Sequence, residues 1–279
     1  MIKRFKRNEI DITKYTNCLN KAINYRIYAE QWYLDCLTNK QWDCLVLNDY
    51  EAIMPLPFQV KFGFKIISQP IYCQQLGVFH QANFSKDHFQ LFYKRLKNNL
   101  VRGYHFNEEN TSSFNPSGIN KINQIIELPT VTSKNYNSMV LRNLRKFKKN
   151  NFLITSCSID EFILNKLKFA NHSVNQELLK KLLITLNQFE SLNINTIKNN
   201  EILAANILIQ SKNRTYYLDA FTSDKGKKYK AATGLIDHAL NNTNVIFDFE
   251  GSSIPSIQQF YTGFGAKIKS YTVYKNLPF

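Results

Sequence analysis

At 279 residues, with 44% hydrophobic and 14% aromatic side chains, the chain can bury a substantial core, and a disordered polypeptide is excluded. Its 36 Lys and Arg against 21 Asp and Glu give a formal net charge of +15, which favours phosphate-bearing partners: a nucleotide cofactor, a charged tRNA or an anionic lipid surface. No run approaches the roughly 18 apolar residues of a membrane helix, and no apolar segment follows the basic start Met1 to Arg7, so a soluble cytoplasmic protein without a transmembrane segment is expected.

The length suits one large fold or two domains of about 130 residues. Five scattered cysteines (Cys18, Cys36, Cys44, Cys73, Cys157) form no C-x-x-C pair and read as reduced thiols. Five histidines (His80, His88, His105, His172, His238) lack metal-ligand spacing and sit in no triad pattern, so no metal is expected.

In chain order, Thr16 to Thr38 reads as a helix anchored by Trp32 and Tyr33. Asp43–Leu47 and Ala52–Leu56 read as two strands turned at Asn48-Asp49, with Pro55 and Pro57 at the end of the second. Lys65–Pro70 and Cys73–Phe79 are extended. Ser85 caps an amphipathic helix with Phe89, Phe92, Leu96 and Leu100 inside, and Tyr104–Glu108 is a strand. Thr111–Gly118 is a loop by composition, Lys121–Leu128 a strand, and the domain change is placed near residue 130, giving domains 1–130 and 131–279.

Asn137–Asn150 is a basic helix. Capping boxes at Ser158/Glu161 and Ser173/Gln176 open two more, the second carrying a stripe of Leu178, Leu179, Leu182, Leu183, Leu186 and Phe189. Ile194–Ile197 and Ile202–Ile209 form a hairpin, Thr215–Phe221 a strand, Gly226–Leu240 a helix and Val245–Glu250 a strand. Phe79 to Phe106 and Phe221 to Phe249 share a strand–helix–strand layout at matched spacing, which suggests an internal duplication with parallel strands. The last strand alternates from Ile246 to Glu250, which puts Asp248 and Glu250 on one face at a sheet end. Pro255 then starts a helix with the stripe Ile257, Phe260, Tyr261 and Phe264, stopped by Gly265. Charge is concentrated in two places: residues 134–150 carry a net +6 and residues 224–230 a net +3.

Tyr261-Thr262-Gly263-Phe264-Gly265-Ala266 resembles the Tyr-x-x-x-Gly-Phe ending of the last helix in Gcn5-related N-acetyltransferases (GNAT). Phe247-Asp248-Phe249-Glu250-Gly251 resembles the Tyr-Asp-Phe-x-Gly strand end of FemABX-like peptidyltransferases, which carry two such domains in tandem. The resemblance implies an α/β protein with mixed sheets, two tandem GNAT-like acyl-CoA N-acyltransferase domains, a bacterial setting, and transfer of an acyl or aminoacyl group to an amine. It makes Tyr261 the catalytic acid for the departing thiolate or ribose oxygen; the other reading of Tyr261 is a core aromatic of its stripe. Glu250 and Asp248 become the base or the holder of an ammonium, although Glu250 also suits a helix cap.

The loop of acetyl-coenzyme A users, Gln/Arg-x-x-Gly-x-Gly/Ala, corresponds to Lys227-Lys228-Tyr229-Lys230-Ala231-Ala232-Thr233-Gly234. Ala232 stands for the last small residue and Lys230 replaces a glycine; Lys227, Lys228 and Lys230 are left to neutralise phosphates. Asn137–Asn150 resembles the basic segment that starts the second FemABX domain, with Arg142, Arg145 and Lys146 as substrate or phosphate contacts or as a solvated face. Acyl-CoA or aminoacyl-tRNA is implied as co-substrate, with no permanently bound cofactor. The implied acceptor is a small-molecule or peptide amine that the first domain helps to bind; no DNA partner is expected, and peripheral membrane contact is compatible with the charge. The rival class is a catalytically inactive duplicated-GNAT module that binds a nucleotide, RNA or an anionic envelope precursor.

Overall fold

The computed structural model describes residues 1–127, 135–169 and 175–277. The chain divides into two compact units, Met1–Lys121 with Ser270–Phe279, and Ile122–Lys269.

The first unit opens with β1 (Ile2–Lys6), α1 (Ile12–Lys21) and α2 (Gln31–Thr38). Asp11 caps α1 through the Lys14 amide, and the chain between α1 and α2 is not helical throughout, as a single helix from Thr16 would require. Arg26 lies there, buried and ion-paired to Glu108 and Glu109. β2 (Trp42–Leu47), β3 (Ala52–Lys61) and β4 (Phe64–Ser68) then form an antiparallel meander. β3 runs through Pro55 and Pro57 rather than ending at Leu56. These prolines fall between its pairing with β5 (Phe79–His80) at Ala52 and Ile53 and its pairing with β4 from Phe58, so their missing N–H groups cost no ladder bond on that side.

Ser85 caps α3 (Lys86–Lys97) as expected, its Oγ accepting from the His88 amide at 3.1 Å, and Phe89, Phe92 and Leu96 are buried. Leu100 instead starts β6 (Leu100–His105) and is exposed. β6 runs parallel to β4, not to the short β5. The segment read as a loop contains α4 (Glu108–Phe114), capped by Asn107.

β7 (Ile119–Ile126) leads into the second unit. There α5 (Ser138–Lys148), β8 (Ile154–Ser156), α6 (Ile159–Phe169) and α7 (Gln176–Gln188) precede β9 (Leu192–Asn199), β10 (Glu201–Gln210) and β11 (Arg214–Thr222). Ser158 caps α6 through the Glu161 amide. Ser173 lies outside the described residues, and Asn175 is the cap of α7. α8 (Asp224–Tyr229), α9 (Ala231–Asn241), β12 (Ile246–Asp248) and α10 (Pro255–Thr262) follow.

Strand order in this unit is β7-β12-β11-β10-β9-β8, antiparallel except for the parallel β11–β12 pair. Its core is made by Val140, Leu144 and Phe147 of α5, Leu235, Ile236 and Ala239 of α9, and Leu203, Ala204, Leu208, Tyr217 and Phe247 of the sheet. Gly234 is required there, because a Cβ would stand 2.3 Å from the Phe147 ring. β13 (Lys267–Tyr274) ends in the first unit, where Val273 and Tyr274 pair antiparallel with His105 and Tyr104 of β6.

Candidate active site

The second unit contains a fork in its sheet. β11 and β12 pair only over Arg214/Ile246, Thr215/Phe247 and Tyr216/Asp248. β12 stops there, while β11 continues beside β10 to Thr222. Beyond Tyr216 this edge of β11 has no strand partner among the described residues; at Ala220 its amide donates to Asp219 Oδ1 at 2.7 Å and its carbonyl accepts from Lys166 Nζ at 2.9 Å. A register shift between Ile207 and Leu208 leaves Leu218 as an extra residue in β11 and breaks the alternation. Tyr217 accordingly packs in the α5/α9 core, whereas Asp219 and Phe221 meet α6 on the other face.

The chain leaves β12 through two consecutive left-handed residues, Glu250 at φ 55° and Gly251 at φ 61°. Gly251 has no room for a side chain, since a Cβ would lie 2.4 Å from the Ile122 carbonyl oxygen. This geometry corrects the expectation that Asp248 and Glu250 share one strand face. The strand ends at Asp248, so period-two alternation does not reach Glu250. Asp248 is 1% exposed and ion-paired to Arg214, itself 2% exposed. Its Oδ1 also accepts from Asn123 Nδ2 and from the Glu250 amide, each at 2.9 Å. Asp248 thus ties the strand end to β7 and β11 instead of emerging at the sheet mouth. Glu250 is half-buried at the turn itself.

Tyr261 stands over the fork from α10, whose N1 residue is Pro255. Its ring stacks on Phe249 with centroids 4.2 Å apart and meets Tyr217 edge-on at 6.1 Å; these two residues are the first beyond the last β11–β12 pair on either strand. The ring therefore belongs to the edge of the core, as the structural reading of its stripe required. Its hydroxyl makes no hydrogen bond among the described residues. Burial, with the negative charges of Glu250 and Asp219 adding to it, holds that hydroxyl well above its ordinary 10.0, so it stays protonated. Gln124 of β7 fixes α10 by donating to the Gln258 carbonyl and to Thr262 Oγ1, both at 3.0 Å.

Two residues at the fork carry no sequence signal. Lys166 of α6 is 6% exposed; its Nζ lies 2.5 Å from Asp219 Oδ1 and donates to the Ala220 carbonyl at 2.9 Å. The helical pattern of α6 shows only an amphipathic segment, and nothing local marks Lys166 as the one lysine turned inward. Asp219 becomes recognisable only once the extra residue at Leu218 has reversed its face.

The lysine segment is bent. Residues 226–240 are not one helix: Lys230, at φ 62° and ψ 33°, closes α8 and opens α9. It thus adopts the left-handed conformation for which glycine is suited. Its amide donates to the Lys227 carbonyl at 3.2 Å, and its carbonyl accepts from the Thr233 and Gly234 amides. Lys227 and Lys228 are exposed, and Lys227 pairs with Asp224 at 2.8 Å. Ala231 is buried and Ala232 half-buried at the start of α9. Gly226 seats α8 against the sheet, because a Cβ there would lie 2.0 Å from the Leu203 carbonyl oxygen. On α5, Arg142, Arg145 and Lys146 lie on the side opposite the buried Val140, Leu144 and Phe147, and none has an acidic partner among the described residues.

No family model matches this sequence, and no curated protein matches it either. Solved structures do match it. FemX superposes with a TM-score of 0.65 over 98% of this chain and 97% of its own, at 8% identity. The C-terminal domain of a putative lysylphosphatidylglycerol synthetase from Agrobacterium fabrum gives 0.57 over 96% and 92%, at 10% identity. An acetyltransferase of the GNAT family from Colwellia psychrerythraea gives 0.57 over 98% of both chains, at 12% identity. The chain therefore has the GNAT-like, FemABX-type α/β fold, with two GNAT-like domains in tandem.

Proposed function

We propose that the chain is an N-acyltransferase that moves an acyl or aminoacyl group from a coenzyme A ester or a charged tRNA to the amine of a small molecule or peptide. The observation that carries this reading is the Tyr261 hydroxyl, without a hydrogen-bond partner among the described residues, placed by its stack on Phe249 above a fork where β11 outruns β12. A donor carbonyl laid along the edge of β11 that β12 leaves uncovered would meet backbone N–H groups that can stabilise the developing oxyanion, short of Ala220, whose N–H already donates to Asp219 Oδ1. Glu250, half-buried beside Tyr261, binds the acceptor ammonium and takes one proton from it. The neutral amine then attacks the carbonyl, the bond to sulfur or ribose oxygen breaks as Tyr261 protonates that leaving atom, and the second proton lost by the new amide nitrogen restores the Tyr261 hydroxyl. Asp248 is assigned a positioning role through its grip on the turn at Glu250. The Lys166–Asp219 pair lines the opposite face of β11, and its negative end helps keep Tyr261 protonated.

Lys227, Lys228 and Lys230 are the proposed phosphate contacts, with Ala232 allowing close approach at the start of α9, where the helix dipole favours an anion. Arg142, Arg145 and Lys146 would add contacts to a polyanionic donor. A second reading, the non-catalytic binding module, is favoured by α8: its closing turn occupies the Lys230 amide, and Lys227 already has Asp224.

The test is thermal unfolding of the purified chain with acetyl-coenzyme A, longer acyl-coenzyme A esters, free coenzyme A and charged tRNA, followed by a transfer assay with the stabilising donor and a panel of amines. A donor at a hundred times its Kd should stabilise the fold by about 2.7 kcal/mol. Turnover that falls in Tyr261→Phe supports the enzyme. Stabilisation without turnover, or by RNA or nucleotide alone, supports the module.

A further inference from the structure

The β3–β4 hairpin of the first unit projects beyond its own core. Residues 59–65 are all exposed, on both faces of the ribbon. Among them Val60 is 53%, Phe62 98% and Phe64 64% exposed, so three large apolar side chains at alternate positions stand in solvent at one tip. The turn is tight, with Phe62 at φ 51° and Gly63 at φ 77°, and Lys61 pairs with Phe64 across it. The tip is thus a hydrogen-bonded ribbon whose strand backbone needs little further hydration. Scattered exposed hydrophobics are ordinary; a fully exposed phenylalanine flanked by two more apolar side chains on a projecting turn is an interaction surface.

The charge around the tip selects the partner. No Asp or Glu occurs between Glu51 and Asp87, and Lys61 and Lys65 flank the aromatic residues. The carboxylate nearest along the sheet, Asp43, is buried and taken by Arg4 and Lys65, while Lys65 also lies 4.1 Å above the Phe58 ring. Lys61 has no acidic partner among the described residues. We infer that the β3–β4 tip is a membrane-docking finger: Phe62, with Val60 and Phe64, enters the headgroup boundary of a bilayer rich in anionic lipid while Lys61 meets its phosphates and the Arg4–Asp43–Lys65 group, with two cations on one carboxylate, adds positive potential. The size of the feature separates this occupant from a protein. A stable protein interface needs about 800 Å² from each partner, far more than three side chains on a turn provide, whereas shallow insertion of one or two aromatics supported by lysines suffices for reversible binding to an anionic surface. The inference does not depend on the transferase reading.

The test is flotation of the full chain with vesicles of phosphatidylcholine alone and with about a third phosphatidylglycerol, together with the emission of Phe62→Trp corrected for the wild type. Expected are binding to the anionic vesicles only, weakening with salt, and a blue shift of the new tryptophan on binding. F62S/F64S should lower the bound fraction at least about tenfold, and K61E should lower it too. Both variants should keep the wild-type urea midpoint, since the altered side chains are exposed. The inference is overturned if F62S/F64S floats like the wild type or if Phe62→Trp emission is unmoved by bound vesicles. It is equally overturned if the tip instead holds two copies of the chain together, read as a dimer in solution that F62S/F64S converts to monomer without any vesicle binding.

Discussion

The Tyr261 ring lies on the Phe249 ring with planes 20° apart, so a residue just past the end of β12 seats the ring that carries the Tyr261 hydroxyl. Stacking of this kind contributes about 0.5–1.5 kcal/mol beyond burial, and it resides in the ring. Tyr261→Phe keeps it and removes only a hydroxyl that has no hydrogen-bond partner among the described residues. The unfolding free energy should stay within about 0.5 kcal/mol of wild type, while kcat/KM with a competent donor falls about 10²-fold or more. Unchanged turnover would remove Tyr261 from the chemistry.

Arg214 and Asp248 form a buried pair, and breaking one side of such a pair leaves a charge without its counter-ion. Asp248→Asn or Arg214→Met should each cost about 3–5 kcal/mol, and the double variant R214M/D248L should lose less than either single change. Chemical denaturation read by circular dichroism checks all three. A catalytic base at Asp248 would give the other pattern, with lost turnover at nearly wild-type stability.

These two residues also show where the sequence stops being informative. Elements specified by short-range pattern are legible: the Ser85 and Ser158 caps, the leucine stripe of α7 and the β9–β10 hairpin. Strands defined by distant partners are not. Ile2 pairs with Leu47, and Val273 with His105, so β1 and β13 offer little local signature. The candidate site was half legible. Tyr261 stood out through its spacing from Gly265, but the left-handed turn at Glu250, the extra residue at Leu218 and the left-handed Lys230 each reverse or redirect side chains, and no residue preference announces them. Lys166 and Asp219 were hidden for the same reason.

In the first unit His80 is buried and His105 half-buried. Burial pushes each below the ordinary 6.5, against the Gln81 carbonyl and Glu109 for His80 and the Gln74 carbonyl for His105, while Lys121 adds to the lowering of His105. A group whose folded pKa is depressed is less protonated in the native than in the unfolded chain below pH 6.5. Stability is then complete above that value and declines as the pH falls through the window beneath it. The slope reaches at most about 1.4 kcal/mol per pH unit for each histidine. Urea midpoints between pH 7.5 and 5 should therefore fall, and H80Q/H105Q should flatten the decline. A decline of the same steepness in that double variant would assign the effect to other groups.

The cations of α5 offer a test that leaves the core alone. R142Q/R145Q/K146Q removes three charges without acidic partners among the described residues and should leave stability within about 0.5 kcal/mol. If these side chains meet a tRNA backbone, affinity falls for every tRNA alike, and the slope of log K against log salt shrinks by about one for each phosphate no longer neutralised. An unchanged slope would make this helix face simply a solvated one.

Lys230 separates conformation from charge at one position. A non-glycine residue in the left-handed region is strained by roughly 1 kcal/mol, so Lys230→Gly removes strain from the native state but also loosens the unfolded chain. The native gain should about match or slightly exceed that loss, leaving the melting temperature level or a little higher, whereas Lys230→Ala keeps the strain and should not raise it. The charge is lost equally in both variants. If the amine meets a donor phosphate, both should bind coenzyme A esters more weakly than wild type. If instead the glycine variant binds more tightly, the left-handed turn rather than the lysine limits access to the start of α9, and the residue that replaced glycine is what closes the donor loop.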